Sequence, residues 1–169
     1  RKLAWVEGEN TSMPWDLNEL KLAKLDENIN IINILNFNSE YLKCTKKISF
    51  FNPIWSDTGD LFVAEDSSGW WNITQIKTDT NNQLITIIKD KWTIKAELAF
   101  PQWVLGMSSF SCVGDDVIGT FTQEGKWTLA LFLDNGSIHI IDQPFINFSG
   151  IDAAQNRLVA IASSSVISE

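Results

Sequence analysis

Short β-rich runs divided by turn residues, a near absence of helical periodicity, and a turn-plus-tryptophan register that recurs further along the chain predict an all-β fold made of four-stranded antiparallel units. The clearest unit lies within residues 51–89. Residues 53–56 read as a strand, and Asp57-Thr58-Gly59-Asp60 as a tight turn in which Gly59, lacking a Cβ, takes the positive φ. Residues 61–64 form a second strand and Asp66-Ser67-Ser68-Gly69 a second turn. A third strand over 70–76, a turn over 79–82 and a fourth strand over 84–88 complete the unit.

The pattern then returns. Residues 103–112, 117–122, 127–133 and 137–141 read as four strands, separated by Val113-Gly114-Asp115, Gln123-Glu124-Gly125 and Asp134-Asn135-Gly136. Gly69-Trp70-Trp71-Asn72-Ile73 lines up with Gly125-Lys126-Trp127-Thr128-Leu129, and Asp60-Leu61-Phe62-Val63 with Asp116-Val117-Ile118-Gly119, at the same spacing. Residues 3–6, 19–25 and 30–35 supply the last three strands of an earlier unit, and 148–151 and 157–161 begin a later one. A repeat of this size with four strands per unit marks a β-propeller in preference to a sandwich. The expected fold is therefore a partial β-propeller of about three four-stranded antiparallel blades. The whole of 1–169 reads as a fragment of one propeller domain: 1–37 a partial blade, 48–90 and 100–143 blades, and 145–169 the start of another. Both ends read as cuts through a fold.

Composition narrows the functional classes. A net charge of −8 with scattered lysines, the densest cluster being Lys43, Lys46 and Lys47, argues against nucleic acid as a partner. No apolar run approaches the roughly 18–20 residues of a membrane span, and residues 1–10 lack the layout of a secretory signal, so a cytoplasmic protein off the membrane is expected. Cys44 and Cys112 are too few for a disulfide framework and read as reduced, buried thiols. Asn10, Asn72, Asn135 and Asn147 each begin an N-x-S/T triplet, which a chain this rich in Asn, Ser and Thr produces by chance.

The run Asn52-Pro53-Ile54-Trp55-Ser56-Asp57-Thr58-Gly59-Asp60-Leu61-Phe62-Val63, continued by Gly69-Trp70-Trp71-Asn72, resembles the P-x-W-S-P-D-G-x-L-x-F-V-S-D-R-S-G-W-W-N-L blade motif of prolyl oligopeptidase-family propellers, in particular those of acylaminoacyl peptidases and dipeptidyl aminopeptidases. Met13-Pro14-Trp15-Asp16 resembles the segment preceding that motif, and Pro101-Gln102-Trp103-Val104-Leu105-Gly106-Met107-Ser108 one that follows it. The chain departs from the pattern at Asp57, Thr58, Glu65 and Ser67; the last replaces an Arg, which removes any pairing by that side chain. The resemblance implies a non-catalytic propeller that caps a separate C-terminal α/β-hydrolase domain carrying a Ser-Asp-His triad and admits short peptides by size. The other reading is an interaction scaffold, a TolB-like or WD-repeat-like propeller with no peptidase domain. A propeller enzyme working at its own channel needs converging histidines and carboxylates, and the chain has a single histidine.

Within the chain itself no catalytic constellation is expected. Gly106-Met107-Ser108-Ser109-Phe110 approaches the G-x-S-x-G elbow but has Phe in place of the last Gly and sits in a predicted strand. His139, in Ser137-Ile138-His139-Ile140-Ile141, lacks the carboxylate and nucleophile a triad demands. The same shortage of His and Cys removes the usual zinc sites, and no metal or cofactor is expected. Trp55, Trp70, Trp71, Trp103 and Trp127 recur at motif positions suited to packing between blades, with Trp55 and Trp71 expected to be buried; Trp15 is the one best placed to face a ligand. Glu7, Glu9 and Asp16 lie near one another in the first partial blade and could receive a cationic group, but no substrate-binding residue is assigned. The flat faces left at either end of so short a propeller predict self-association, as a two-fold dimer joining two fragments.

Overall fold

The computed structural model describes residues 1–38, 47–79, 84–88, 90–155 and 157–166. Its strands are β1 (Lys2–Glu7), β2 (Glu19–Leu25), β3 (Ile31–Asn36), β4 (Phe50–Trp55), β5 (Leu61–Glu65), β6 (Asn72–Thr78), β7 (Leu84–Ile88), β8 (Phe110–Val113), β9 (Asp116–Gln123), β10 (Lys126–Phe132), β11 (Ile138–Ile140), β12 (Asn147–Ala154) and β13 (Arg157–Ser163). They form four antiparallel meanders in chain order: β1-β2-β3, β4-β5-β6-β7, β8-β9-β10-β11 and β12-β13. The fold is all-β with four-stranded antiparallel sheets, as the alternation and turn spacing predict. Among the described residues no helix is long and apolar enough to cross a membrane.

The sheets meet through their first strands. β4, β8 and β12 lie side by side. Asn52 near the start of β4 donates to Phe110 O at the start of β8, and Ser111 of β8 donates to Asp152 of β12. β1 also lies beside β4 but runs the other way. Lys2, at its start, donates to Gly59 O beyond the end of β4, while Asn18, next to its end, bonds Phe50 where β4 begins. β1, β2 and β3 form a three-stranded sheet.

Period-two alternation explains how these strands serve two seams at once. β5 is buried from end to end. Leu61 and Val63 enter the seam with the first sheet, among Leu20, Leu22, Phe37 and Phe50, while Phe62 and Ala64 enter the seam with the third, among Phe110, Val117, Phe121 and Phe132. β9 and β10 repeat the device: Val117, Phe121, Ala130 and Phe132 face the second sheet, and Ile118 and Leu129 face the fourth. Each large apolar side chain removed from water in this way contributes about 1.5–3 kcal/mol.

Turn chemistry sets the repeat. Gly69 and Gly125, the paired turn glycines, hold φ of 89° and 77°, a region open to Gly at no steric cost. Several strand boundaries differ from expectation, β4 starting already at Phe50 and β12 running on to Ala154. β6 starts at Asn72, leaving Trp70 outside the ladder and 40% exposed. β8 starts at Phe110, because residues 101–107 form a loop that holds Trp103 72% exposed. Trp55, Trp71 and Trp127 are only half-buried; each packs on the border of a seam. The tryptophan at the centre is Trp92, in a 3-10 turn at Asp90–Trp92 that inserts between the second and third sheets, with Nε1 donating to Leu133 O at 2.8 Å. Neighbouring Lys91 ties the same two sheets by bonding Gln75 and Asp134. Cys44, Lys43, Lys46 and residues 80–82 of the expected turn lie outside the described residues.

Candidate functional site

At the end of the molecule where β4 and β8 begin, three segments converge: the 8–18 loop between β1 and β2, the first half of β4, and the 101–107 loop. Each is held by side-chain bonds to backbone. Asn18, 2% exposed, acts as a surrogate peptide: its Oδ1 accepts from Phe50 N at 2.7 Å, and its Nδ2 donates to Phe50 O at 2.9 Å and Pro14 O at 2.6 Å. That pins the 8–18 loop to β4. The β4–β5 register then shifts between Phe51 and Ile54, where Pro53 has no N–H to give a ladder. Asn52 sits in that bulge at φ 55°, a left-handed conformation Asn tolerates, and its Nδ2 reaches Phe110 O at 2.8 Å. Above them Trp15 and Trp103 meet edge to face with centroids 4.6 Å apart, joining the two loops.

These segments enclose a cleft of about 500 Å³, within the range of small-molecule sites. Its walls include Val6, Pro14, Phe51, Pro53, Val104, Leu105 and Met107; its polar groups are Glu9, Ser12, Asn18, Asn52 and Gln102. Gln102 Nε2 donates to Phe100 O at 2.8 Å, which sets the amide's orientation and leaves Oε1 buried with no donor. Val104 and Leu105 stand 66% and 102% exposed on the loop, and Glu9 has a long 3.5 Å contact from Thr11 Oγ1.

The acidic trio divides. Glu9 lines the cleft, whereas Asp16 is exposed outside it. Glu7 is engaged elsewhere, accepting from Trp5 Nε1 at 3.0 Å and pairing with Lys21 at 3.3 Å. The indole hydrogen bond first, and Lys21 after it, hold the Glu7 carboxyl below its ordinary range. Trp15 does not line the cleft but braces the loop beside it.

The serines of the elbow-like segment are structural. Ser108 Oγ donates to Ile151 O at 2.7 Å, and fully buried Ser109 donates to Leu98 O. His139 is exposed on β11, opposite Leu131. Cys112 is mostly buried, and burial, with Asp57 adding repulsion, pushes its thiol up to about 12, so it stays protonated and inert near neutrality. Among the described residues no cluster of His, Cys, Asp or Glu is arranged to hold a metal ion. Sequence reasoning passed over Asn18, Asn52 and Gln102. The available signals were the Asn52-Pro53 pair as a bulge marker and Pro101 with Gly106 as loop markers.

The fold has relatives of known structure. A puromycin hydrolase superimposes on 97% of this chain with a TM-score of 0.79 at 23% identity, and a puromycin-hydrolysing peptidase from Mycobacterium tuberculosis on 98% with a TM-score of 0.80 at 24% identity. In both, the match takes in 24% of the longer protein, so this chain spans about a quarter of the length of the peptidases it resembles. No protein-family model matches the chain, and no curated protein matches it. The arrangement of strands over almost the whole chain is therefore that of a segment of these peptidases.

Proposed function

We propose that this chain is a non-catalytic propeller segment of a cytoplasmic serine peptidase, of the acylaminoacyl peptidase or dipeptidyl aminopeptidase kind, whose propeller caps a separate α/β-hydrolase domain and admits short peptides by size. The observation that carries this reading is the fold match to two peptidases over almost the whole chain. It is supported by the blade motif around Trp55 and by the absorption of Ser108 and Ser109 into backbone hydrogen bonds. In this reading residues 1–37 are a partial blade, 48–90 and 100–143 blades, and 145–169 the start of a further blade of one propeller. Ile32 and Ile34 on the first sheet and Val159 and Ile161 on the last are 53–71% exposed, and further blades would cover them in the parent. The 169-residue chain on its own would instead self-associate.

Sequencing the flanking coding region is the test. The expected continuation completes the propeller and then encodes G-x-S-x-G at a strand-to-helix turn, followed by Asp and then His. A continuation made only of further blades, or an early stop, overturns the peptidase reading. In parallel, the isolated chain is expected to scatter light as a dimer or larger species and to hydrolyse no aminoacyl substrate. A clean 19.1 kDa monomer would remove the self-association, and turnover blocked by a serine-reactive phosphonate would remove the non-catalytic assignment.

A further inference from the structure

At the opposite end of β4, where β4 and β8 finish and β12 runs into its turn, lies a second cavity of about 590 Å³, also within the range of small-molecule sites. Trp55 lines it, and the Trp55 indole Nε1–H is buried with no acceptor. A buried donor left unmade is an unfavourable state that a bound acceptor relieves. The same cavity carries carboxylates. Asp57 and Asp152 are the only formally charged groups among the described residues that line it. Lys2, whose ammonium lies 5.0 Å over the Trp55 ring, is given to Thr78 Oγ1 and Gly59 O and does not line the cavity.

The frame is fixed before any ligand arrives. Ser111, 1% exposed, donates from Oγ to Asp152 Oδ1 at 3.2 Å, and Ala153 N donates to the same oxygen at 2.8 Å. Oδ2 is therefore the oxygen of Asp152 left to a ligand. Thr58 Oγ1 donates to Asp115 Oδ1 at 2.5 Å, which ties together the turns that follow β4 and β8. A site held in shape in this way loses less ordering entropy on binding.

This combination of groups discriminates by charge. A cation would pair with the carboxylates but has no lone pair for the indole N–H. An anion would accept from the indole but face Asp57 and Asp152 with no cation beside them, and an apolar molecule would leave all three unmet. A hydroxyl donates to a carboxylate and accepts from an N–H together. We propose that this cavity binds a small neutral polyhydroxy compound of the sugar or polyol class. Its hydroxyls donate to Asp57 and Asp152 Oδ2 and accept from Trp55 Nε1, and its C–H surface rests against Ile54 and Val113. The proposal does not rest on the peptidase reading, since it uses only the cavity and its lining.

The test is an NMR titration of the 169-residue chain with D-glucose, D-glucuronate and cyclohexylammonium, three six-membered rings that are neutral, anionic and cationic. The Trp55 indole resonance is assigned by its disappearance in Trp55→Phe, and amide shifts at residues 111–114 and 152–154 report affinity independently of it. Glucose should move the indole with a Kd of about 10 mM, glucuronate should bind about tenfold more weakly, and cyclohexylammonium should leave the indole in place. Asp57→Asn, an exposed change in a turn, and Trp55→Phe, which keeps a ring but removes the donor, should each weaken glucose by about tenfold. If Trp55→Phe fails to fold, Asp57→Asn decides alone. No indole shift at about 100 mM glucose, equal affinity for glucuronate, tighter binding of cyclohexylammonium than of glucose, or full glucose affinity in the folded variants would each overturn the proposal.

Discussion

Between the second and third sheets, Phe62, Trp92, Phe132 and Phe121 form a chain of ring contacts 5.8, 6.0 and 6.4 Å apart, with Leu98 and Ala96 sealed in beside them. Between the third and fourth sheets, the buried cluster among the described residues is Ile118, Leu129 and Phe148, each 5–8% exposed, and Leu158, Ala160 and Trp127 remain partly open. The strands use the same alternation in both places. The difference comes from what lies between them. In the first seam the connector from Asp90 onward turns inward and donates Trp92, Ala96 and Leu98; in the second, the two strands β12 and β13 cover a four-stranded sheet. A repeated strand pattern therefore produces seams of unequal strength, decided by the connector and by the breadth of the partner sheet.

The sharpest way to break this comparison is to empty each seam in turn. Trp92→Ala removes the largest fully buried side chain together with its bond to Leu133, and should lower stability by about 3–5 kcal/mol in urea unfolding. Phe148→Ala, in the more open seam where neighbours can collapse, should lower it by about 2 kcal/mol or less. Equal losses would show that the two seams are equivalent and the reading of the connector wrong.

A smaller effect should come from Gly119. It aligns with Val63 in the sequence repeat, yet a Cβ built on it would lie 2.6 Å from Phe110 Cβ and 3.0 Å from Ser109 O. Gly119→Ala must push β8 away from β9 and should destabilise by about 1–3 kcal/mol, read as a lowered urea midpoint. A neutral substitution would mean that this close approach is slack.

The smallest expected effect is a pH dependence at Cys112, where β8 nears β12. The folded thiol is held up to about 12 by burial and then by Asp57, while in the unfolded chain it ionises near about 8.5. Between those values the unfolded chain releases a proton that the folded one keeps, so stability falls as pH rises, and below the lower value Cys112 contributes no slope. Urea midpoints of the parent and of Cys112→Ala should therefore converge from about pH 8 to about pH 10 if the parent starts the more stable. Parallel curves would place Cys112 in contact with solvent.

What the sequence alone determined is what short-range chemistry controls. Turns at Asp57-Thr58-Gly59-Asp60, Asp66-Ser67-Ser68-Gly69 and Asp134-Asn135-Gly136 were legible because glycine at positive φ is a local requirement, met at 91°, 89° and 90°. The antiparallel sheets followed from runs of alternating β-formers between those turns. The tertiary structure decided which tryptophan is central: Pro101 and Gly106 mark a loop around Trp103, but only the stacking of sheets sends Trp92 inward. It also decided the cleft. Glu9 was visible as one of three nearby acids, but its separation from Glu7 and Asp16, and its meeting with Asn52 of β4 and Gln102 of the 101–107 loop, depend on contacts between segments far apart in the chain. Backbone preferences are set by neighbours in sequence, whereas burial and convergence are set by neighbours in space.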